Sequence, residues 1–239
     1  MPASLRPYLA WFAVAVLLTL GAIWAMQWVR AHPQHFPGAR FEFGQPQGWA
    51  THRKLMAFTA DDAACFAAFD RIGAGYARRP VVGVGQCRAS QRMVLTGNRM
   101  VPTMRPANAA PGCAVTAAMA LWTRDVVQPA ARKYFGQKVV ELENLGSYNC
   151  RTIAGRNAQS EHSTANAIDI SAFVLADGTR VALINDWAPG DKRSEFLHEV
   201  RDGSCGLFST VLSPDHDAAH ADHFHLDMAV RTAGWSICR

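Results

Sequence analysis

The chain has 239 residues, 49% of them hydrophobic and 18% charged, which suits one globular domain of ordinary size plus an extra element at one end. Its formal net charge of +5 comes from basic residues scattered along the chain, with no dense Lys/Arg block, so a nucleic-acid footprint is excluded. The excess charge serves solubility; the sharper alternative is attraction to an anionic surface such as membrane headgroups or a cell-wall polymer.

No charged residue occurs from Tyr8 to Val29, and this run, YLAWFAVAVLLTLGAIWAMQWV, is long enough as a helix to cross a hydrocarbon core of about 30 Å. Trp11, Trp24 and Trp28 lie toward its ends, where interfacial aromatics belong. A cleaved signal peptide is the rival reading, but it predicts a shorter apolar core and a small-x-small cleavage site, which the flank MQWVRAHP does not carry. The expected organisation is therefore a cytoplasmic N-terminus over 1–7, an uncleaved transmembrane signal anchor over 8–29, a Pro- and Gly-containing linker over 30–50 and a folded domain over 51–239. All six cysteines follow the apolar run and none forms a CxxC pair, a pattern that reads as disulfides in an oxidising compartment. With the anchor retained, the N-terminus is accordingly placed inside and the domain outside, held to the membrane by a single pass. Six cysteines allow 15 connectivities, and no pairing is assigned.

Within the domain, Asp61 and Asp62 cap a short helix, AACFAAFDRIG, that ends at Gly73. Alternation in VVGVGQ and RMVLTG predicts strands on either side of Cys87, with Gly83 and Gly85 as a bulge or turn. Residues 113–135 carry apolar side chains at three- and four-residue spacing, which predicts one long helix kinked or split by Pro129. KVVELENL follows as a strand and GSYNCRTIAGRNAQ as a loop. AIDISAFVL and RVALI flank a turn at 176–179 and read as a hairpin. SEFLHEVRDG is a helix ending at Gly203, and HFHLDMAV is the last strand. Helices and hairpins without a βαβ rhythm predict an α+β fold.

The chemistry is concentrated in two stretches. HADHFHLD, residues 220–227, holds three histidines and two aspartates. On a strand, His223, His225 and Asp227 share one face while Phe224, Leu226 and Met228 take the other, so the polar set is lifted into a cleft by an apolar set that enters the core. Two histidines rarely complete a metal site. SEHSTANAID, residues 160–169, supplies His162 in a loop and Asp169 on a strand, with Ile168 and Ile170 facing the opposite side. His162, Asp169 and His225 together offer two imidazoles and one carboxylate, a ligand set suited to Zn2+ with a position left open for water.

SEHSTANAID resembles the SxHxxGxAxD motif of the zinc peptidases that cleave bacterial cell walls, the lysostaphin and D-alanyl-D-alanine metallopeptidase group, and HADHFH resembles their HxH element. The span from Cys113 to Asp227, with GSYNCR, SEHSTANAIDI and HADHFHLD, is similar to the bacterial extensin-like C-terminal domain family. This resemblance implies a small antiparallel sheet with flanking helices of the D-Ala-D-Ala metallopeptidase kind. It implies zinc on His162, Asp169 and His225, with His223 acting on the water or the developing oxyanion. Asp222 is the alternative base, although on a regular strand it faces away from His225. Arg151 resembles an arginine that steadies a substrate carboxylate or carbonyl, and reads otherwise as a surface residue beside a disulfide. His220 and Asp227 are expected to support the ligands, and Ser160 to be a hydrogen-bonding loop residue rather than a nucleophile. His216 reads as part of a solvated loop, with a place in the site as the alternative. One departure stands out: Ala165 occupies the position where the peptidase motif prefers glycine.

With the resemblance, these readings give a zinc peptidase anchored in the bacterial inner membrane by a single pass, its domain in the periplasm, acting on the peptide stems or crosslinks of peptidoglycan, with no nucleic-acid partner. A catalytically inactive, zinc-containing wall-binding or scaffolding module is the alternative. A metal-dependent phosphoesterase would require phosphate-directed Lys/Arg beside the histidines, which neither motif carries.

Overall fold

The computed structural model describes residues 6–97, 100–231 and 235–239, and divides the chain into two compact units, Met1–Thr51 and His52–Arg239. Residues 1–5 of the expected cytoplasmic stretch lie outside the described residues.

In the first unit, helix α1 (Arg6–Ala31) is apolar on all sides, and it is the one described helix long and apolar enough to cross a membrane. At 1.5 Å per residue its 26 residues extend about 39 Å. The following stretch, expected as a plain tether, folds back on itself. The Trp28 ring stacks on His32 at 4.7 Å between centroids, Ala50 N–H donates to the Gln34 carbonyl at 3.1 Å, and Trp49 N–H donates to Nδ1 of His35 at 3.2 Å. Gly48 permits this approach, since a Cβ there would sit 2.6 Å from the Gln34 carbonyl oxygen. Prolines and glycines here produce turns rather than extension.

The second unit begins one residue into α2 (Thr51–Ala57) and continues with α3 (Asp62–Arg71). Asp61 caps α3 by accepting the Ala64 N–H at 2.9 Å, and Gly73 follows at φ +63°. Strand β1 (Tyr76–Arg78) pairs antiparallel with β2 (Met93–Leu95). VVGVGQ is not a strand: it forms one bridge, Val82 to Ala89, around a 3-10 turn at Gly85–Cys87. Gly83 sits at φ +70° where a Cβ would strike the Cys87 carbonyl and the Tyr148 hydroxyl, so the segment turns where alternation predicts extension.

The long helical run is α4 (Cys113–Trp122), a π-turn (Thr123–Val127) and α5 (Gln128–Phe135), closed by Gly136 at φ +67°. Pro129 lies in the first turn of α5. It lacks an N–H and its ring crowds the carbonyl four residues back, and the extra residue of the π-turn accommodates both effects without breaking the helix.

The main sheet is mixed, with strand order β3-β4-β5-β8-β7-β9 and β6 on the second half of β5. Its members are β3 (Thr103–Arg105), β4 (Val139–Gly146), β5 (Ala167–Leu175), β6 (Arg180–Ala182), β7 (Thr210–Leu212), β8 (Phe224–Asp227) and β9 (Ile237–Cys238). The middle is antiparallel, as expected, but β3 joins β4 and β9 joins β7 in parallel. Strands β3, β7 and β9 are two or three residues long, too short to show periodicity, and β9 rather than HFHLDMAV is the last strand.

Strand β5 carries a bulge. Glu143 pairs with Ala172 and Asn144 with Ile170, leaving Ser171 without an opposite residue. Side-chain phase reverses there, so Ile168 and Ile170 before it and Phe173 and Leu175 after it are all buried. Between the sheet and the helices, which end with the short α6 (Leu183–Asp186) and α7 (Lys192–Ser204), Phe173 meets Trp122, Phe224 and Phe196 of α7, and Trp122 Nε1–H donates to the Val200 carbonyl at 3.1 Å. Helix α7 runs one residue past the expected end at Gly203. A side chain at Gly203 would strike Val126 of the π-turn, so this glycine serves close packing rather than termination. Disulfides join Cys65 to Cys113, Cys87 to Cys150 and Cys205 to Cys238. The fold is α+β.

Candidate metal centre

Three local structures deliver the two motifs to one place. The antiparallel ladder between β5 and β8 sets Asp169 directly opposite His225. Phe224 and Leu226 alternate with His225 into the core, each fully buried, and so fix the face that His225 presents. His162 arrives from the 3-10 turn Glu161–Thr164 that leads into β5; Ser160 caps this turn, its Oγ 3.3 Å from the His162 N–H. The turn closes at Ala165, with φ 58° and ψ 23°, the one non-glycine residue with positive φ among the described residues. Its carbonyl receives the Gly112 N–H at 2.8 Å, which locks the left-handed conformation in place. At the position where the peptidase motif has glycine, this chain thus holds an alanine in the left-handed region.

Nε2 of His162, Oδ1 of Asp169 and Nδ1 of His225 form a triangle with edges of 3.2, 3.0 and 3.0 Å. A tetrahedral zinc with bonds of about 2.0–2.1 Å separates its ligands by about 3.3–3.4 Å. The triangle therefore needs only a few tenths of an ångström of expansion to accept the ion, and its donors, two imidazoles and one carboxylate, are of the right chemical type. All three side chains are largely buried, with relative exposures of 4%, 14% and 12%.

The two imidazoles of the triangle are oriented from behind. Nδ1 of His162 lies 3.3 Å from the Ser147 carbonyl, which leaves Nε2 as the nitrogen facing the centre. Nε2 of His225 lies 3.1 Å from Oδ2 of Asp227, whose Oδ1 accepts the Ala229 N–H at 2.9 Å. Burial disfavours charge on His225, but its hydrogen bonds to Asp169 and Asp227 and their negative field outweigh this and push its pKa up to about 9. Burial likewise opposes ionisation of Asp169, yet hydrogen bonds from His162 and His225 hold its carboxyl well below the usual range. Without metal, a proton on Nδ1 of His225 bridges the same atoms that would surround the ion.

His223 stands beside the triangle, with Nε2 3.6 Å from Oδ1 of Asp169 and Nδ1 2.7 Å from Oδ1 of Asp222. Strand alternation does not govern Asp222, because β8 begins only at Phe224. Asp222 turns onto the far side of His223, so the two rivals for one role are in contact and their geometry is cooperative. A carboxylate at Nδ1 holds the proton there and leaves Nε2 as the basic nitrogen on the side of the centre. His220 packs its ring 6.0 Å from that of His225 and 5.3 Å from that of His223, with its Nδ1 turned to Asp217 instead.

Arg151 is not drawn into the cluster. Its side chain is exposed, while its backbone is fixed by Ser163, whose Oγ lies 3.2 Å from the Arg151 N–H and 2.8 Å from its carbonyl oxygen. Sequence reasoning passed over Ser163, fully buried, and Ser147, which orients a ligand through its carbonyl. It also passed over Glu161, which burial makes harder to ionise and whose Oε2 takes the Asn166 amide at 2.6 Å across the turn. The only sequence signal for these was their place inside or beside the motifs.

An α+β domain whose paired strands and preceding turn converge two histidines and an aspartate defines a candidate metal-binding domain. The chain belongs to the family of the extensin-like protein C-terminus, whose family model matches residues 63–239, a wider span than the Cys113–Asp227 region that carries the motifs. No curated protein and no solved structure matches the chain significantly.

Proposed function

We propose that this protein is a zinc metallopeptidase that hydrolyses amide bonds in the peptide stems or crosslinks of peptidoglycan, anchored in the bacterial inner membrane by α1 with its catalytic domain in the periplasm. The observation that carries the reading is the His162–Asp169–His225 triangle with His223 held beside it by Asp222. A purely structural metal site has no use for an adjacent imidazole poised by its own carboxylate. The export-type helix and the three disulfides support the location. The likeness of both motifs to the lysostaphin and D-Ala-D-Ala metallopeptidase group, and the corresponding fold, belong to the same proposal.

When bound, zinc supplies a Lewis acid that makes water nucleophilic near neutral pH and polarises a carbonyl oxygen. His162, Asp169 and His225 would hold it. Nε2 of His223 takes a proton from the attacking water and passes it to the leaving amine, while Asp222 keeps Nδ1–H in place and stabilises the transient imidazolium. Amide and water become carboxylate and amine, with no other reactant. Arg151, on the adjoining loop, is the proposed contact for a substrate carboxylate or carbonyl.

The test is incubation of the zinc-loaded full chain, in detergent, with purified sacculi, followed by analysis of the released muropeptides. New peptide-cleaved fragments are expected from the wild type and not from His223→Ala with the same zinc content. Unchanged muropeptides from fully zinc-loaded wild type would favour the inactive wall-binding module.

A further inference from the structure

A second group of histidine and carboxylate side chains converges in the loop before β8. The His216 N–H closes a turn on the Ser213 carbonyl at 2.9 Å, and Asp217 caps the 3-10 turn Ala218–His220 through the Ala219 N–H at 3.0 Å. These two turns aim both imidazoles at one carboxylate. Nε2 of His216 lies 3.4 Å from Oδ2 of Asp217, and Nδ1 of His220 lies 2.7 Å from Oδ1. One donor atom from each residue falls within 4.8 Å of the others, and the His216 and His220 ring centroids are 5.4 Å apart.

We propose that His216, Asp217 and His220 form a second site for a divalent transition-metal ion of the zinc class, separate from the His162–Asp169–His225 centre. Two imidazole nitrogens with one carboxylate oxygen select such an ion over Mg2+ or Ca2+, which favour all-oxygen shells. Side-chain exposures of 28%, 48% and 18% leave coordination positions for water, so this ion is held more weakly than one at the inner centre and exchanges with solution. His220 links the two places, because its ring also packs against His223 and His225. Occupancy therefore fixes the loop carrying the neighbour of His223. In a plain solvated loop, the same contacts are two histidine–aspartate pairs with no ion.

The metal-stripped full chain, in detergent, is equilibrated with Zn2+ and its bound metal counted, with Co2+ absorption as a second readout. Two ions per chain are expected for wild type, one for H216A/H220A, one for H162A/D169A and none for the quadruple variant. The H216A/H220A pair lies on a partly exposed loop and leaves the core untouched. Equal stoichiometry and equal Co2+ spectra for wild type and H216A/H220A would overturn the second site, whether or not H162A/D169A folds. Loss of an ion in H216A/H220A but not in H162A/D169A would sink the inner-site reading and leave this one standing.

Discussion

Oδ2 of Asp227 lies 3.1 Å from Nε2 of His225, and this contact decides which imidazole nitrogen meets Asp169. The other oxygen of Asp227 is committed to the Ala229 N–H. Asparagine has one acceptor oxygen for these two donors, so Asp227→Asn should release His225 or the backbone. Zinc affinity should fall about 10- to 100-fold, the usual effect of removing a ligand's supporting hydrogen bond. Competition with a chromophoric chelator measures it; an unchanged affinity would mean that Asp227 serves only the strand.

If His225 binds zinc, the proton it carries makes that binding pH-dependent. With its pKa pushed up to about 9, His225 must lose a proton to bind at neutral pH. Calorimetry in buffers of different ionisation enthalpy should therefore report release of about one proton per ion at pH 7.5, and affinity should drop about tenfold per pH unit between 9 and 7. Stability of the metal-free protein moves by the same groups. The raised pKa of His225 contributes stability that is full below its unfolded value of about 6.5 and lost as pH rises through about 9. The depressed pKa of Asp169 contributes above about 3.9 and fades as pH falls. Metal-free thermal stability from these two groups should be greatest between about pH 4 and 6.5, and a melting series across pH checks it.

If His223 moves the proton, Asp222 is its positioning residue. Asp222→Asn should lower amide hydrolysis by about 10- to 100-fold and His223→Ala by about 10²- to 10⁴-fold, both with zinc content unchanged. The loss in Asp222→Asn should fall on kcat and leave KM unchanged, because Asp222 acts through His223. A kcat equal to wild type would remove Asp222 from the mechanism.

Ala165 holds a left-handed conformation that costs an L-residue about 1–2 kcal/mol. Ala165→Gly relieves it at the expense of a more flexible unfolded chain, for a net gain of about 1 kcal/mol. The melting temperature should rise by about 2–4 °C. A fall would show that the buried methyl group contributes more than the strain removes.

The Cys87–Cys150 bond closes 63 residues and pins the loop that runs from Ser147, behind His162, to Arg151. Chain entropy alone assigns it about 4 kcal/mol. C87S/C150S should melt well below wild type and bind zinc more weakly, whereas C205S/C238S, at the far end of β9, should lose stability with little change in affinity. Equal affinity losses would show that neither bond acts locally.

Much of this arrangement was readable because its signals are local. His223, His225 and Asp169 sit in dense motifs, and the alternation of Phe224 and Leu226 with His225 reports which way the ligand faces. The Asp222–His223 contact was not legible, because alternation says nothing of a residue two places before the start of β8. Strands β3, β7 and β9 gave no signal, since two or three residues cannot display a period and their pairing comes from distant segments. The Ser171 bulge was equally hidden: one unpaired residue is visible only once β4 lies alongside. Pro129 announced an irregularity but not its form, because a π-turn and a break begin from the same missing N–H.

Asp169 and His225 face each other across a ladder of backbone hydrogen bonds, and their strands pack on a buried aromatic core, so the register that pairs them draws on sources of order other than an ion. If zinc binds at this centre, a chelator should strip it and leave the domain folded, and resupply should restore it, unlike a zinc finger, whose chain is ordered by the ion itself. Scarcity of metal in its surroundings would then silence the centre reversibly rather than destroy the molecule.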